Sequence, residues 1–155
     1  KLVAASQLVP DDDGIQIVMG VMYSVARNFQ EAADAFGHAS AADPTNYTTL
    51  SRWGACLSNA GDHAAALQKY DAALKLNPGF ARCWLNKGIA CFKLQQYEAA
   101  AKAHLTALKL NPAAVHVWPH VRIALTCMER FDLVPATHAC DIPTLCAALG
   151  IPASG

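Results

Sequence analysis

Small, aromatic and proline positions recur along the chain at one constant spacing, and this is the dominant pattern in the sequence. Five positions repeat three times each, so the register is fixed at several points at once. The recurring residues are Gly20, Gly54 and Gly88; Ala32, Ala66 and Ala100; Phe36, Tyr70 and His104; Ala39, Ala73 and Ala107; and Pro44, Pro78 and Pro112. We call this spacing the repeat period, and it predicts one supersecondary unit used several times.

The order of residues within one period indicates the kind of unit. A small residue early, a small residue four positions before an aromatic late, and a closing proline are typical of the tetratricopeptide repeat, a pair of helices. We therefore predict an all-α tetratricopeptide-repeat superhelix of helix-turn-helix units with a C-terminal helical cap. The small residues should let the two helices of a unit approach closely, and the aromatic residue should fill the gap to the next unit.

The repeat register also predicts how the chain is divided. The predicted parts are an N-terminal extension at 1–12, three repeats at 13–46, 47–80 and 81–114, and a C-terminal region at 115–155. Asp43, Asn77 and Asn111 each precede a proline, which disfavours helix in the residue before it, so the second helices should end there. Asp62 follows a turn and should accept hydrogen bonds from the free N–H groups of the next helix.

The repeat weakens after residue 114. Trp118 lies one repeat period after Trp84, which predicts one more first helix over 115–128, but Arg122 stands where the glycine is expected. No second-helix pattern follows, and Pro135 suggests a loop over 131–137.

A short helix is predicted near the C-terminus. Asp141 should cap it, residues 144–149 should form it, and Gly150 should end it in a left-handed conformation. A short apolar helix of this kind usually covers the exposed face of the last repeat.

The composition limits the partners that the chain could have. Twelve Lys and Arg residues balance 12 Asp and Glu residues, and 54% of the 155 residues are hydrophobic while 15% are charged. These values predict about one globular domain and argue against a nucleic-acid partner, which usually requires a basic excess. We expect no membrane span and no signal peptide. The six cysteines lack a Cys-x-x-Cys pair and should be reduced packing residues of a cytoplasmic protein.

Charge is distributed unevenly within the repeats. The first-helix segments 47–60, 81–94 and 115–128 contain no Asp or Glu. Their basic residues are Arg52, Arg82, Lys87, Lys93, His116, His120 and Arg122. Because first helices line the concave face of a repeat superhelix, we predict a positive groove that suits an anionic peptide end. The alternative is that these cations are ordinary solvated surface residues.

The sequence favours a binding protein over an enzyme. It contains no Gly-rich phosphate loop, nucleophile elbow or paired-carboxylate motif, so we predict no catalytic residues and no cofactor. His116 and His120 are four residues apart on a predicted helix, but no third ligand has suitable spacing, and we predict no metal site. His104 occupies the aromatic packing position and should be a core residue with a satisfied nitrogen.

Several segments resemble the C-terminal repeats of the type 1 peroxisomal targeting signal receptors. The segments that carry the resemblance are Asn77 to Arg82, Asn86 to Ile89, Trp118 with Arg122 to Leu125, and Asp141 to Leu145 with Gly150 to Pro152. The resemblance implies a non-enzymatic receptor for C-terminal Ser-Lys-Leu-type signals of cargo proteins. It implies cytoplasmic localisation with cycling to the peroxisomal or glycosomal membrane, where docking proteins would be partners.

The resemblance also implies a set of peptide-binding residues. Arg82 and Asn86 match the family directly. Arg52 keeps the charge of a family lysine, and Asn59 matches a family asparagine nearby. Ser24, Ser51 and Lys93 stand where the family has asparagine.

Two alternatives remain open from the sequence. The family domain has seven repeats that clasp the peptide as two triplets, and this chain matches only the second triplet, so it could be a structural scaffold with a diverged groove. A co-chaperone module that clamps a chaperone tail is the other alternative. Ile17 and Val21 occupy positions where such a clamp needs Lys and Asn, which argues against it.

Overall fold

A computed structural model describes residues 13–152 of the chain, and within them it has nine α-helices, two short 3₁₀ helices and no strand. The helices are α1 (Asp13–Val25), α2 (Phe29–Ala42), α3 (Tyr47–Asn59), α4 (His63–Leu76), α5 (Ala81–Lys93), α6 (Tyr97–Leu110), α7 (Trp118–Cys127), α8 (Val134–His138) and α9 (Ile142–Ala148). The 3₁₀ helices are Val115–Val117 and Phe131–Leu133. The predicted extension at 1–12 lies outside the described residues.

The helices form two compact units, one ending at Pro78 and the other beginning at Gly79. In the first unit α1 packs on α2, and α3 packs on both α2 and α4. In the second unit α5 packs on α6, which also contacts α7 and α9. Each helix pair therefore packs within its unit, and the predicted all-α tetratricopeptide-repeat fold is confirmed.

The recurring glycine and aromatic residue of each repeat meet inside one helix pair. A Cβ atom at Gly20 would stand 2.8 Å from the Phe36 ring, and one at Gly54 would stand 2.7 Å from the Tyr70 ring. These distances are shorter than real Cβ contacts, so only glycine lets the aromatic ring pack so closely on the first helix. The close approach predicted for the two helices is thus confirmed.

The aromatic residue also contacts the following repeat, as predicted. In the first unit Phe36 is 1% exposed and shares a core cluster with Ala32, Ala33 and Cys56. Trp53 and Leu57 of α3 pack against the same cluster. One ring therefore joins its own helix pair to the first helix of the next repeat.

A left-handed residue follows the first helix at the same repeat position four times. These residues are Arg27, Gly61, Gln95 and Glu129, with φ of 62°, 98°, 61° and 58°. The following amide donates to the carbonyl five residues earlier: Asn28 to Tyr23, Asp62 to Leu57, Gln96 to Cys91 and Arg130 to Leu125, each at 2.9 Å. This is the Schellman arrangement of helix ends. Only one of the four positions is glycine, so residue type did not reveal the turn.

Side-chain caps begin several helices. Asn46 accepts a hydrogen bond from the amide of Thr49 at 3.1 Å, and Asp62 accepts one from Ala65 at 2.9 Å. The prediction for Asp62 is confirmed. Each cap satisfies an amide that has no partner within its own helix.

The predicted loop over 131–137 is wrong. The 3₁₀ helix Phe131–Leu133 leads directly into α8, and Pro135 lies in the first turn of α8, where its missing N–H costs little. Thr137 is 1% exposed, and its hydroxyl donates to the carbonyl of Val134 at 2.7 Å. With the left-handed Glu129 before it, this segment takes the place of a second helix after α7.

The other C-terminal predictions hold with shifted bounds. The first helix predicted over 115–128 starts as the 3₁₀ helix Val115–Val117 and becomes α-helical at Trp118. Helix α9 is capped by Asp141, which accepts from the amide of Thr144 at 3.1 Å, and it ends before Gly150, whose φ is 67°.

The cysteines are free, as predicted, but two of them do not pack in a core. Cys56, Cys83, Cys91 and Cys146 are buried, whereas Cys127 and Cys140 are exposed. Within residues 13–152, no helix has the length and apolar character needed to cross a membrane.

Candidate functional site

The first unit carries four of the predicted peptide-binding residues, on α1 and α3. Arg52 and Asn59 are exposed on α3. Ser51, beside Arg52, is 4% exposed, so its hydroxyl is turned into the protein. The Ser24 hydroxyl donates to the carbonyl of Gly20 at 2.8 Å and lies 3.2 Å from the Cys56 sulfur. In this unit Arg52 and Asn59 are therefore the two predicted residues that face solvent.

The second unit carries the other three predicted residues on α5. Arg82 and Lys93 are exposed and Asn86 is half-buried. Residues four, seven and eleven positions apart lie on one side of an α-helix, so these three side chains share a face with Ile89. The helix places a cation near each of its ends and an amide between them.

Arg82 lines a pocket of about 260 Å³, which we call the Arg82 pocket. Its other lining residues are Ala81, Leu85, Ala107, Asn111, Ala114, His116 and Val117. Two nitrogen-bearing side chains, Asn111 and His116, thus accompany the guanidinium. Arg82 contributes a planar fork of N–H donors, the geometry that matches a carboxylate.

Lys93 lines a second pocket of about 240 Å³, which we call the Lys93 pocket. Its other lining residues are Ile89, Phe92, His104, His120 and Ile123. The lining thus combines three apolar side chains, two imidazole rings and one lysine. The two pockets share α5 as one wall and lie near its opposite ends.

Two imidazole rings stack in the Lys93 pocket. The ring centroids of His104 and His120 are 5.1 Å apart with an interplanar angle of 29°. His104 is 1% exposed and His120 is exposed. Burial, followed by the neighbouring charge of His120, lowers the pKa of His104 to about 3. His104 is therefore a neutral imidazole at physiological pH.

His104 is a core residue, as predicted, but one of its two ring nitrogens is not satisfied by any described residue. Its Nδ1 is buried and has no hydrogen-bond partner among the described residues. The ring also packs on Gly88, where a Cβ atom would stand 2.5 Å from Nδ1. His104 replaces the Phe or Tyr of the other repeats, so its ring nitrogens lie in a packing site that holds only carbon atoms of the ring in those repeats.

In the second unit, acidic residues and the cations Arg82 and Lys93 lie on different helices. Helices α5 and α7 contain no Asp or Glu. Glu98 instead pairs with Lys102 at 2.7 Å, and Asp132 pairs with Arg130 at 2.9 Å. Neither Arg82 nor Lys93 forms an ion pair within residues 13–152. The face of α5 that carries Arg82 and Lys93 therefore presents uncompensated positive charge.

His116 and His120 were predicted to lie on one helix, and this was wrong. His116 lies in the 3₁₀ helix Val115–Val117 and lines the Arg82 pocket, whereas His120 lies on α7 and lines the Lys93 pocket. In the described part of the chain, no group of three or more His, Cys, Asp or Glu side chains could hold a metal ion.

The cations of these pockets could be predicted from the sequence, but the walls were missed. Leu85, Ile89 and Ile123 were unremarkable apolar residues in the sequence, and Asn111 was interpreted only as a helix end. A signal was available, because Ile89 and Ile123 are one repeat period apart and so occupy the same repeat position. What the spacing could not show is that α5 and α7 leave space between them.

Comparison with known proteins agrees with this architecture. A tetratricopeptide-repeat family model matches residues 57–115. The peroxisomal targeting signal receptor of Candida albicans is 31% identical in a match 102 positions long, which covers 63% of this chain and 17% of the receptor. The chain therefore spans about one sixth of the length of that curated relative.

Solved structures show the same fold. The first tetratricopeptide-repeat domain of Spaghetti (RPAP3), bound to the HSP90 peptide SRMEEVD, is similar with a TM-score of 0.73 at 22% identity, covering 76% of this chain and 93% of that one. A crystal structure of MamA is similar with a TM-score of 0.86 at 12% identity, covering 99% of this chain and 84% of that one. The helical pairs, the family model over residues 57–115 and these similarities show that the chain has a tetratricopeptide-repeat fold.

Proposed function

We propose that this chain is a non-enzymatic peptide-binding adaptor that recognises the C-terminal carboxylate of a partner protein. The observation that carries the proposal is Arg82, an exposed guanidinium in a pocket with His116 and Asn111, on a helix face without acids. A cleft lined by one sign of charge concentrates ligands of the opposite sign. A carboxylate would gain a charge-assisted, two-point contact there.

Asn86 would hold the peptide backbone next to that carboxylate. It lies one helical turn beyond Arg82 on the same face, and an amide side chain can donate to a peptide carbonyl and accept from a peptide N–H. Together, Arg82 and Asn86 would recognise the end of a peptide chain through its main-chain groups. Side-chain selectivity must then come from the apolar and basic lining of the pockets.

At a finer level, we propose that the ligand is a Ser-Lys-Leu-type signal and that the adaptor serves protein import into peroxisomes or glycosomes. Support comes from the 31% identity to a peroxisomal targeting signal receptor and from the resemblance of Arg52 and Arg82 to that family's basic peptide-binding residues. Cargo proteins and peroxisomal docking proteins would be its partners. It would act in the cytoplasm and cycle to the organelle membrane.

The domain assignment belongs to the same proposal. The three repeats would be residues 13–46, 47–80 and 81–114, each of which contains two helices. The C-terminal region, residues 115–155, would cover the last repeat. In the second unit α9 packs on α6, which is the contact expected of a C-terminal cap.

The proposal is tested by measuring fluorescence anisotropy of a labelled peptide ending in Ser-Lys-Leu against its C-terminally amidated form. We expect the free acid to bind at least tenfold more tightly, and we expect affinity to fall as salt rises because open-groove charges are screened over about 10 Å at 0.1 M. Equal affinity for acid and amide would contradict recognition of the carboxylate.

A chaperone tail is the second candidate ligand, because an acid-free cationic face also suits an acidic peptide. RPAP3 was solved with the HSP90 peptide SRMEEVD, which makes that peptide the appropriate competitor. Ile17 and Val21 on α1 supply no charge or amide for such a tail. We therefore expect SRMEEVD to bind more weakly than the Ser-Lys-Leu peptide, and the reverse order would favour a co-chaperone role.

A further inference from the structure

The Lys93 pocket is suited to a different chemical group from the one proposed for the Arg82 pocket. Its walls are the aliphatic side chains of Ile89 and Ile123 and the ring of Phe92. Ile123 is 51% exposed, so apolar surface remains open to a ligand. A bare carboxylate would leave these walls unused, whereas a side chain with an apolar stem would cover them.

The rim of the same pocket carries positive charge. Lys93 is exposed and unpaired within the described residues, and the exposed ring of His120 lies across the pocket on α7. The buried ring of His104 supports His120 from below by stacking at 5.1 Å. His104 is too buried to reach a ligand, so it is a positioning residue that holds one wall in place.

Apolar walls below a cationic rim match a side chain that has methylene groups and ends in a carboxylate. Glutamate has this construction: two methylene groups would lie on Ile89 and Ile123, and the carboxylate would reach the ammonium of Lys93. Aspartate is one methylene shorter, glutamine lacks the charge, and lysine would be repelled.

The distance between the two pockets along α5 determines which residue of a bound peptide can reach the Lys93 pocket. Arg82 and Lys93 are eleven residues apart, which corresponds to about 16 Å of helix rise. An extended peptide covers about 3.3 Å per residue, so about five residues span that distance. We propose that the Lys93 pocket is a second peptide subsite that takes a glutamate side chain about five residues before the C-terminal carboxylate bound by Arg82. This subsite rests on the proposed function.

The test is a glutamate scan through a labelled ten-residue peptide that ends in Ser-Lys-Leu and is otherwise neutral. Glu replaces Gln at one position at a time, from the fourth to the eighth residue counted from the C-terminus. We expect one maximum, at the fifth or sixth residue, with affinity raised about three- to tenfold as for a partly exposed charge pair. A profile without a maximum would overturn the subsite.

Protein variants assign the effect to the pocket. Lys93→Met keeps the apolar stem and should abolish the preference for Glu over Gln. Lys102→Ala, which removes a cation that pairs with Glu98 on α6, is the matched control and should keep the preference. His104→Phe should also keep it, since a flat ring still supports His120. Retention of the preference in Lys93→Met would refute the assignment.

These outcomes separate the subsite from the proposed function. If peptides bind with the expected acid-over-amide preference but the glutamate scan has no maximum, peptide recognition stands and the Lys93 subsite is wrong. If no peptide shows that preference in the wild-type protein, the proposed function itself fails.

Discussion

The imidazole ring of His104 packs directly on Gly88, close enough that a Cβ atom at residue 88 would stand 2.5 Å from the ring. The same relationship joins Gly54 to Tyr70 in the first unit. One glycine–ring pair thus sets the spacing of the two helices in each repeat. In the second unit the pair also fixes one wall of the Lys93 pocket, which links the packing of the repeat to its proposed ligand.

Gly88→Ala should destabilise the protein by about 1–3 kcal/mol, because an added methyl group in a filled site forces the ring or the helix to move. Chemical denaturation followed by circular dichroism measures the change. Ala99→Gly, at an exposed position of α6, serves as the control for the conformational cost of glycine alone. A Gly88→Ala variant as stable as the wild type would show that the contact does not limit helix spacing.

Stability should depend on the protonation of His104. Its pKa is lowered from 6.5 to about 3 by burial, so the unfolded chain binds a proton more readily than the folded one. The contribution of the neutral ring to the free energy of unfolding is fully present above pH 6.5. It declines as the pH falls from 6.5 toward 3. The loss approaches about 1.4 kcal/mol per pH unit, or about 2 kcal/mol between pH 6.5 and pH 5.

His104→Phe isolates this effect, since Phe36 occupies the same repeat position in the first repeat. The free energy of unfolding of the wild type, measured between pH 7 and pH 5, should fall relative to that of the variant. At pH 7 the variant should also be more stable by about 1–3 kcal/mol, because it removes a buried nitrogen that has no partner among the described residues. Parallel pH profiles for the two proteins would contradict the assignment to His104.

The left-handed turns give a stabilising substitution. Gln95 has φ of 61°, a conformation that costs a non-glycine residue roughly 1–2 kcal/mol, so Gln95→Gly should raise stability by about 1 kcal/mol. The gain is measured as a higher midpoint of denaturation at unchanged m-value. Gly61→Ala, at the equivalent turn, should lower stability by a similar amount. The same sign for both substitutions would contradict the turn argument.

The helical repeat could be predicted from the sequence because its signals are small residues, aromatics and prolines in one register. The left-handed turns could not, since Arg27, Gln95 and Glu129 are not turn formers. Their conformation is imposed by the two helices that they join. Counting whole repeat periods from Gly61 would have located them.

The site was predicted less completely than the fold. The exposure of Arg82 and Lys93 could be predicted from their repeat positions, whereas the burial of Ser51 could not, because neighbouring positions on one helix differ in exposure. The helical segment after Glu129 was also missed. It begins with a 3₁₀ helix and carries Pro135, so it lacks the periodicity of a normal second helix.

The most direct test of the account combines Arg82→Ala with the acid and amide forms of the Ser-Lys-Leu peptide. The wild type should prefer the acid, and Arg82→Ala should lose about 1.5–3 kcal/mol of binding to the acid while its affinity for the amide stays nearly the same. The free energy of unfolding should change by less than about 0.5 kcal/mol, as for a typical surface substitution. A variant that melts at a lower temperature yet keeps the wild-type preference for the acid would show that Arg82 braces the fold and does not bind the carboxylate.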